Sequence, residues 1–118
     1  MAVYKRKLSG STDGKPIKIV PTATAGITIH TAVVGTDDGD FDEIWLFAQN
    51  NHTSSVLLTI EFGGAIAPDQ NIIMTLESKV GLQLIIPGLI LQNEMVVKAF
   101  ASVANVVCIS GFVNKITS

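Results

Sequence analysis

The chain has little of what catalysis, cross-linking or nucleic-acid binding requires. Its 118 residues include one cysteine, two histidines, one tryptophan and one tyrosine. The single Cys108 excludes an internal disulfide framework and a cysteine-based zinc cluster. Charged residues make up 15% of the chain, against about 25% in an average soluble domain. The net charge of −2 and a pI near 5.5 point away from a nucleic-acid partner. Long apolar runs are also missing: each breaks, at Pro87-Gly88 or at Asn105, before the ~18 residues of a membrane-spanning helix. No membrane partner is therefore expected. Disorder is excluded from the opposite side, because 47% of the residues are hydrophobic.

No convergent catalytic set is visible either. His30 falls on the polar side of an alternating segment and His52 in a turn, so both read as surface histidines. There is no Gly-x-Ser-x-Gly elbow. The run Gly10-Ser11-Thr12-Asp13-Gly14-Lys15-Pro16 is one residue short of a phosphate loop and carries Pro16 where magnesium would need a hydroxyl. The expectation is no enzyme, no cofactor and no metal. One acidic constellation has an alternative reading. Asp38, Asp40 and Asp42 stand two apart, as in the start of a calcium loop, but Glu43 and Gln49 occupy positions where such a loop needs Gly and Glu. A solvated hairpin tip is the reading preferred over calcium. Asn51-His52-Thr53 matches a glycosylation sequon without a secretory signal to give it meaning. At the N-terminus, Lys5-Arg6-Lys7 is followed by Leu8-Ser9-Gly10-Ser11 rather than an apolar export segment. Use in the compartment of synthesis, or transport out by another agent, is expected.

What the chain does have is β-forming residues. Val, Ile and Thr total 36, whereas Glu, Lys, Gln and Arg total 16, and branched side chains suit pleated surfaces. Ile27, Ile29, Thr31 and Val33 alternate with polar or small neighbours, as do Val56, Leu58, Ile60 and Phe62. That is the two-residue period of a half-buried strand. Eight strands are predicted, over 16–20, 27–33, 42–49, 55–62, 71–76, 80–86, 95–101 and 105–115. Gly, Pro, Asn and Asp clusters, including Pro87-Gly88, mark turns between them. Such spacing predicts an all-β, compact β-sandwich, jelly-roll-like, with about eight strands. Residues 1–15 read as an extended N-terminal arm and 16–118 as the β-sandwich domain.

Three predicted strands are apolar on both faces: Ile44–Ala48, Met95–Val97 with Phe100, and Val106–Ile109 continuing to Phe112-Val113. A sandwich gives each strand only one core face, so the second face needs its own cover. A shielding loop would serve, but the shortage of charge favours a homo-oligomer, with Trp45, Phe47, Val107 and Ile109 as candidate interface residues. A lone Trp45 within an apolar strand fits packing better than a sugar platform.

Several stretches carry a resemblance: Lys7–Ile19, Phe41–Ala48, Ile86–Asn93 and Ile109–Ile116. Together they resemble small tailed-bacteriophage virion proteins, in particular head decoration (cement) proteins. The resemblance implies a structural protein of the capsid exterior, made in the host cytoplasm and released by lysis. It implies a trimer that bridges neighbouring subunits of the major capsid protein, with Tyr4, Lys5, Arg6 and Lys7 as a capsid-contact arm. A tail, baseplate or head-fibre subunit would share the profile. A carbohydrate-binding module is the rival of another class, and the 6% aromatic content counts against it.

Overall fold

The computed structural model describes residues 1–118. It is an all-β protein of nine strands: β1 Ala2–Lys7, β2 Ile17–Lys18, β3 Ile27–Thr31, β4 Phe41–Asn50, β5 Val56–Phe62, β6 Asn71–Leu76, β7 Gln83–Leu91, β8 Val96–Ala101 and β9 Val107–Thr117. They form two antiparallel sheets in a sandwich. The first, the outer sheet, has the order β1-β9-β4-β7, with β2 also on β9; the second has the order β3-β8-β5-β6. Four of the pairings are nested along the chain: β5 with β6, β4 with β7, β3 with β8, and β1 with β9.

The two-residue period decides which side chains meet between the sheets. On β4, Asp42, Ile44, Leu46, Ala48 and Asn50 are buried, while the residues between them are only half-buried. Val56, Leu58 and Ile60 of β5 answer from the second sheet, with Val97, Ala99 and Ala101 of β8. Leu8, Ile17 and Ile19 complete the core from the N-terminal side.

Four expectations are corrected. Residues 1–15 are not an arm. Residues 2–7 pair with β9 through six consecutive registers, and Leu8 lies in the core. β1 and β2 are two pieces of one strand laid along β9, with residues 8–16 looping out between them. Second, Val107 and Ile109 are 0% exposed within the single chain, so they face the other sheet rather than a neighbouring subunit. Third, Pro87-Gly88 is no turn, because β7 runs through it to Leu91. Ile44 opposes Leu89 and Trp45 opposes Pro87, which leaves Gly88 as the extra residue of a bulge. Gly88 has φ of 81°, and a Cβ there would meet the Trp45 ring at 2.9 Å, so glycine is required on both counts. Fourth, His30 is buried, at 5% exposure. A register shift between Thr28 and His30 breaks the alternation, so Ile29 and His30 both turn inward.

The N-terminal segment should therefore matter to stability. Leu8→Ala is expected to cost roughly 2–5 kcal/mol, the range for truncating a buried leucine, measured by urea denaturation. An unchanged midpoint would mean that Leu8 is not part of the core.

Candidate interaction surface

The odd-numbered residues of β4 project from the outer sheet away from the core. Trp45 pairs in register with Phe112 of β9, and their rings are 6.2 Å apart between centroids at 14°. Lys5 of β1 places its Nζ 4.3 Å from the centroid of Phe112, a cation–π arrangement. Glu43 Oε1 accepts hydrogen bonds from Trp45 Nε1–H at 2.7 Å and from Asn114 Nδ2–H at 3.0 Å. These donors, Asn114 first and then Trp45, hold the Glu43 carboxyl below the ordinary carboxylate range against a smaller opposing effect of burial. Strand pairing thus brings Lys5, Trp45 and Phe47 onto one face, which the sequence reading had assigned to an arm and an interface separately.

That face continues into exposed apolar surface at β7. Leu84, 50% exposed, stands opposite Phe47, and Ile90 stands opposite Glu43. Beyond β7 the sandwich is open at its side. A groove of about 280 Å³ between β6 and β7 is lined by Ile72, Ile73, Met74, Leu76, Leu84 and Ile85, together with Thr75 and Gln83. Ile73 is 57% exposed, and Val80 and Leu82 in the connection are also largely exposed. Isolated exposed hydrophobes are ordinary, but a contiguous patch marks an interaction site. The sequence reading missed Leu84, Ile90 and Ile73. The run Leu84-Ile85-Ile86-Pro87-Gly88-Leu89-Ile90-Leu91 carried the signal, since it is apolar on both faces, but Pro87-Gly88 read as its end.

The opposite end of the sheet is basic. Tyr4, Lys5, Arg6 and Lys7 are exposed on β1, with the Arg6 guanidinium 5.9 Å above the Tyr4 ring. Arg6 and Lys7 line a cleft of about 480 Å³ with Ser9, His30, Thr31, Val33, Asp42, Val113 and Lys115. In its wall, His30 Nε2 and Asp42 Oδ2 are 2.7 Å apart. His30 Nδ1 accepts the Ser9 N–H at 3.0 Å, and Asp42 Oδ2 also accepts the Val33 N–H at 3.2 Å. An Nδ1 that accepts leaves Nε2 as the donor to Asp42, which is a neutral imidazole with its lone pair already engaged. A general base needs that lone pair free, so the pair acts as a tie between β3 and β4, one from each sheet. Asp42 faces inward to make this tie, whereas Asp40 Oδ1 accepts the Ser118 N–H. The Asp38, Asp40 and Asp42 triplet is therefore divided, and no group of three or more His, Cys, Asp or Glu converges anywhere in the chain.

No family model, curated protein or solved structure matches this chain.

Two outcomes are expected from these contacts. Asp42→Ala strands the buried His30 donor and the half-buried Val33 N–H and should cost roughly 2–6 kcal/mol, at about 1–3 kcal/mol per orphaned group. Chemical denaturation measures it; a loss within experimental error would show that the pair does not tie the sheets. Glu43 has a lowered carboxyl pKa in the folded chain, so its contribution is present above the unfolded carboxylate pKa and disappears as pH falls through the folded value. Glu43→Gln should therefore destabilise more at pH 6 than at pH 3. An equal effect at both would assign the contribution to packing alone.

Proposed function

We propose that the chain is a non-enzymatic virion structural protein, a capsid decoration or cement protein, that bridges neighbouring major capsid subunits as a homotrimer. The observation that carries the reading is the opposition of the two ends of the outer sheet: an apolar face and groove at β7, and a basic free edge at β1. One end is suited to self-association and the other to a second protein. A trimer closed around β7 would turn its β1 edges outward, and three weak edge contacts on one particle would act together.

The fold is compatible with this role. The nested pairs are what results when one long antiparallel ribbon, folded back between β5 and β6, is rolled up as a jelly roll, an architecture used by capsid proteins and by lectins. The resemblance to phage decoration proteins supplies the identity of the shell partner. The engaged lone pair of His30 supports the non-enzymatic part. Trp45 is committed to Phe112, Glu43 and Gly88, which argues against a sugar-binding platform.

Light scattering on the purified chain tests self-association, and co-sedimentation with expanded capsids tests the shell. The expected mass is three times the 12.5 kDa of one chain. Leu84→Asp should yield a folded monomer with an unchanged far-ultraviolet spectrum, whereas Val107→Asp or Ile109→Asp should unfold the chain. A monomeric unmodified protein overturns the trimer; failure to sediment with capsids while binding tail components would transfer the role to the tail.

A further inference from the structure

The basic end of the outer sheet offers more than charge. β1 is the terminal strand of its sheet, and its strand pairing is to β9 alone. None of the backbone hydrogen bonds in turns and loops involves residues 2–7. In an antiparallel pair, alternate residues direct both N–H and C=O away from the partner, so β1 presents free donors and acceptors along its open side. Proteins commonly blunt such edges with a proline, a bulge, a covering loop or charge. β1 has no proline and no bulge, and five of its six residues are exposed. Charge alone guards it, and all of that charge is positive.

The cleft at this edge is electrostatically unbalanced. Arg6, Lys7 and Lys115 line it, and none of the three lies within ion-pair distance of a carboxylate. Asp42, the one carboxylate in the lining, already has Oδ2 engaged by His30 and by the Val33 N–H. Arg6 and Lys7 are consecutive and so project to opposite faces of β1. Arg6 pairs with Val113 and Tyr4 with Lys115, so Arg6, Val113 and Lys115 share the core-facing side of the sheet, and the cleft opens on that side beside the edge. A strand laid along that edge would set alternate side chains toward one cation and then the other. A second copy offering its own β1 would place Lys5, Arg6 and Lys7 against the same residues and be repelled.

We propose that the free edge of β1 and its cleft take an acidic, extended peptide segment of the partner. The segment adds as a fifth strand in the β1-β9-β4-β7 row and sets its carboxylates against Arg6, Lys7 and Lys115. Main-chain hydrogen bonds give the affinity and the cations give the choice of partner. The inference rests on the shell-bridging reading for the source of the segment, not for the chemistry of the site.

The test uses the full chain and a fluorescent, capped decapeptide of alternating Glu and Thr. Saturable binding at low salt is expected, weakening as sodium chloride rises from 50 to 500 mM. Arg6→Glu with Lys115→Glu should raise Kd at least tenfold, while Lys18→Glu, a cation outside the cleft, should leave it within twofold. Hydrogen exchange on the unmodified chain gives a readout that does not depend on the double variant folding: alternate amides within residues 2–7 should gain protection when the peptide binds. The same peptide N-methylated at every residue should not bind. No binding at low salt overturns the proposal. So does binding that ignores N-methylation, leaves residues 2–7 unprotected and is matched by inorganic triphosphate. Co-sedimentation with capsids by a protein that ignores the peptide overturns this inference alone; peptide binding by a protein that ignores capsids upholds it and removes the shell-bridging role.

Discussion

The pairing of β4 with β9 is the constraint on which every surface described above depends. Ten consecutive registers join them, from Phe41 with Ile116 to Asn50 with Val107. β7 is held to the outer sheet through β4, and β1 through β9. The central pair therefore separates the apolar end from the basic end by two strands. It also fixes which residues can meet. One register step would turn either Trp45 or Phe112 inward and present Leu46 or Val113 of the same strand to solvent, which the core could not tolerate.

The two ends keep their edges in different ways. At β7, Gly88 interrupts the register, and the bulge lets Trp45 pack where a side chain would otherwise stand. At β1 the ladder is regular, and a row of cations takes the place of a bulge. Between them, the His30–Asp42 tie joins the second sheet to β4 beside the basic cleft. Ser9, in the loop between β1 and β2, is bound into the same tie through its N–H, and its Oγ accepts the N–H of Thr31 at 2.7 Å. Basic edge, inter-sheet tie and core thus share one neighbourhood.

Much of this was legible in the sequence, and the exceptions have physical causes. β6 is read to the residue, because Ile72, Met74 and Leu76 alternate cleanly between Gly/Pro-rich flanks. β1 was invisible for the opposite reason. A strand that buries almost nothing has no apolar period, and only the length of β9 shows that it must pair. Pro87-Gly88 misled because a glycine at positive φ serves a turn and a bulge equally well. His30 misled because one extra residue moves a side chain from one face to the other. For Val107 and Ile109, a strand apolar on both faces cannot declare which face is the core. The apolar end was only half seen: Trp45 and Phe47 were identified, but the β7 residues that extend them across the sheet were not.

The nested pairing has a temporal consequence. Ala2 pairs with Thr117, so the first strand made must wait for the last. At ~5–20 residues per second, that wait is on the order of ten seconds. Until β9 emerges, Lys5, Arg6 and Lys7 belong to an unpaired segment with no cleft and no ordered edge. Long-range closures of this kind are also slow once the chain is complete. The basic edge is therefore a property of the finished fold, absent from the nascent chain. Assembly with a partner through β1 would be postponed, by topology alone, until the subunit is whole.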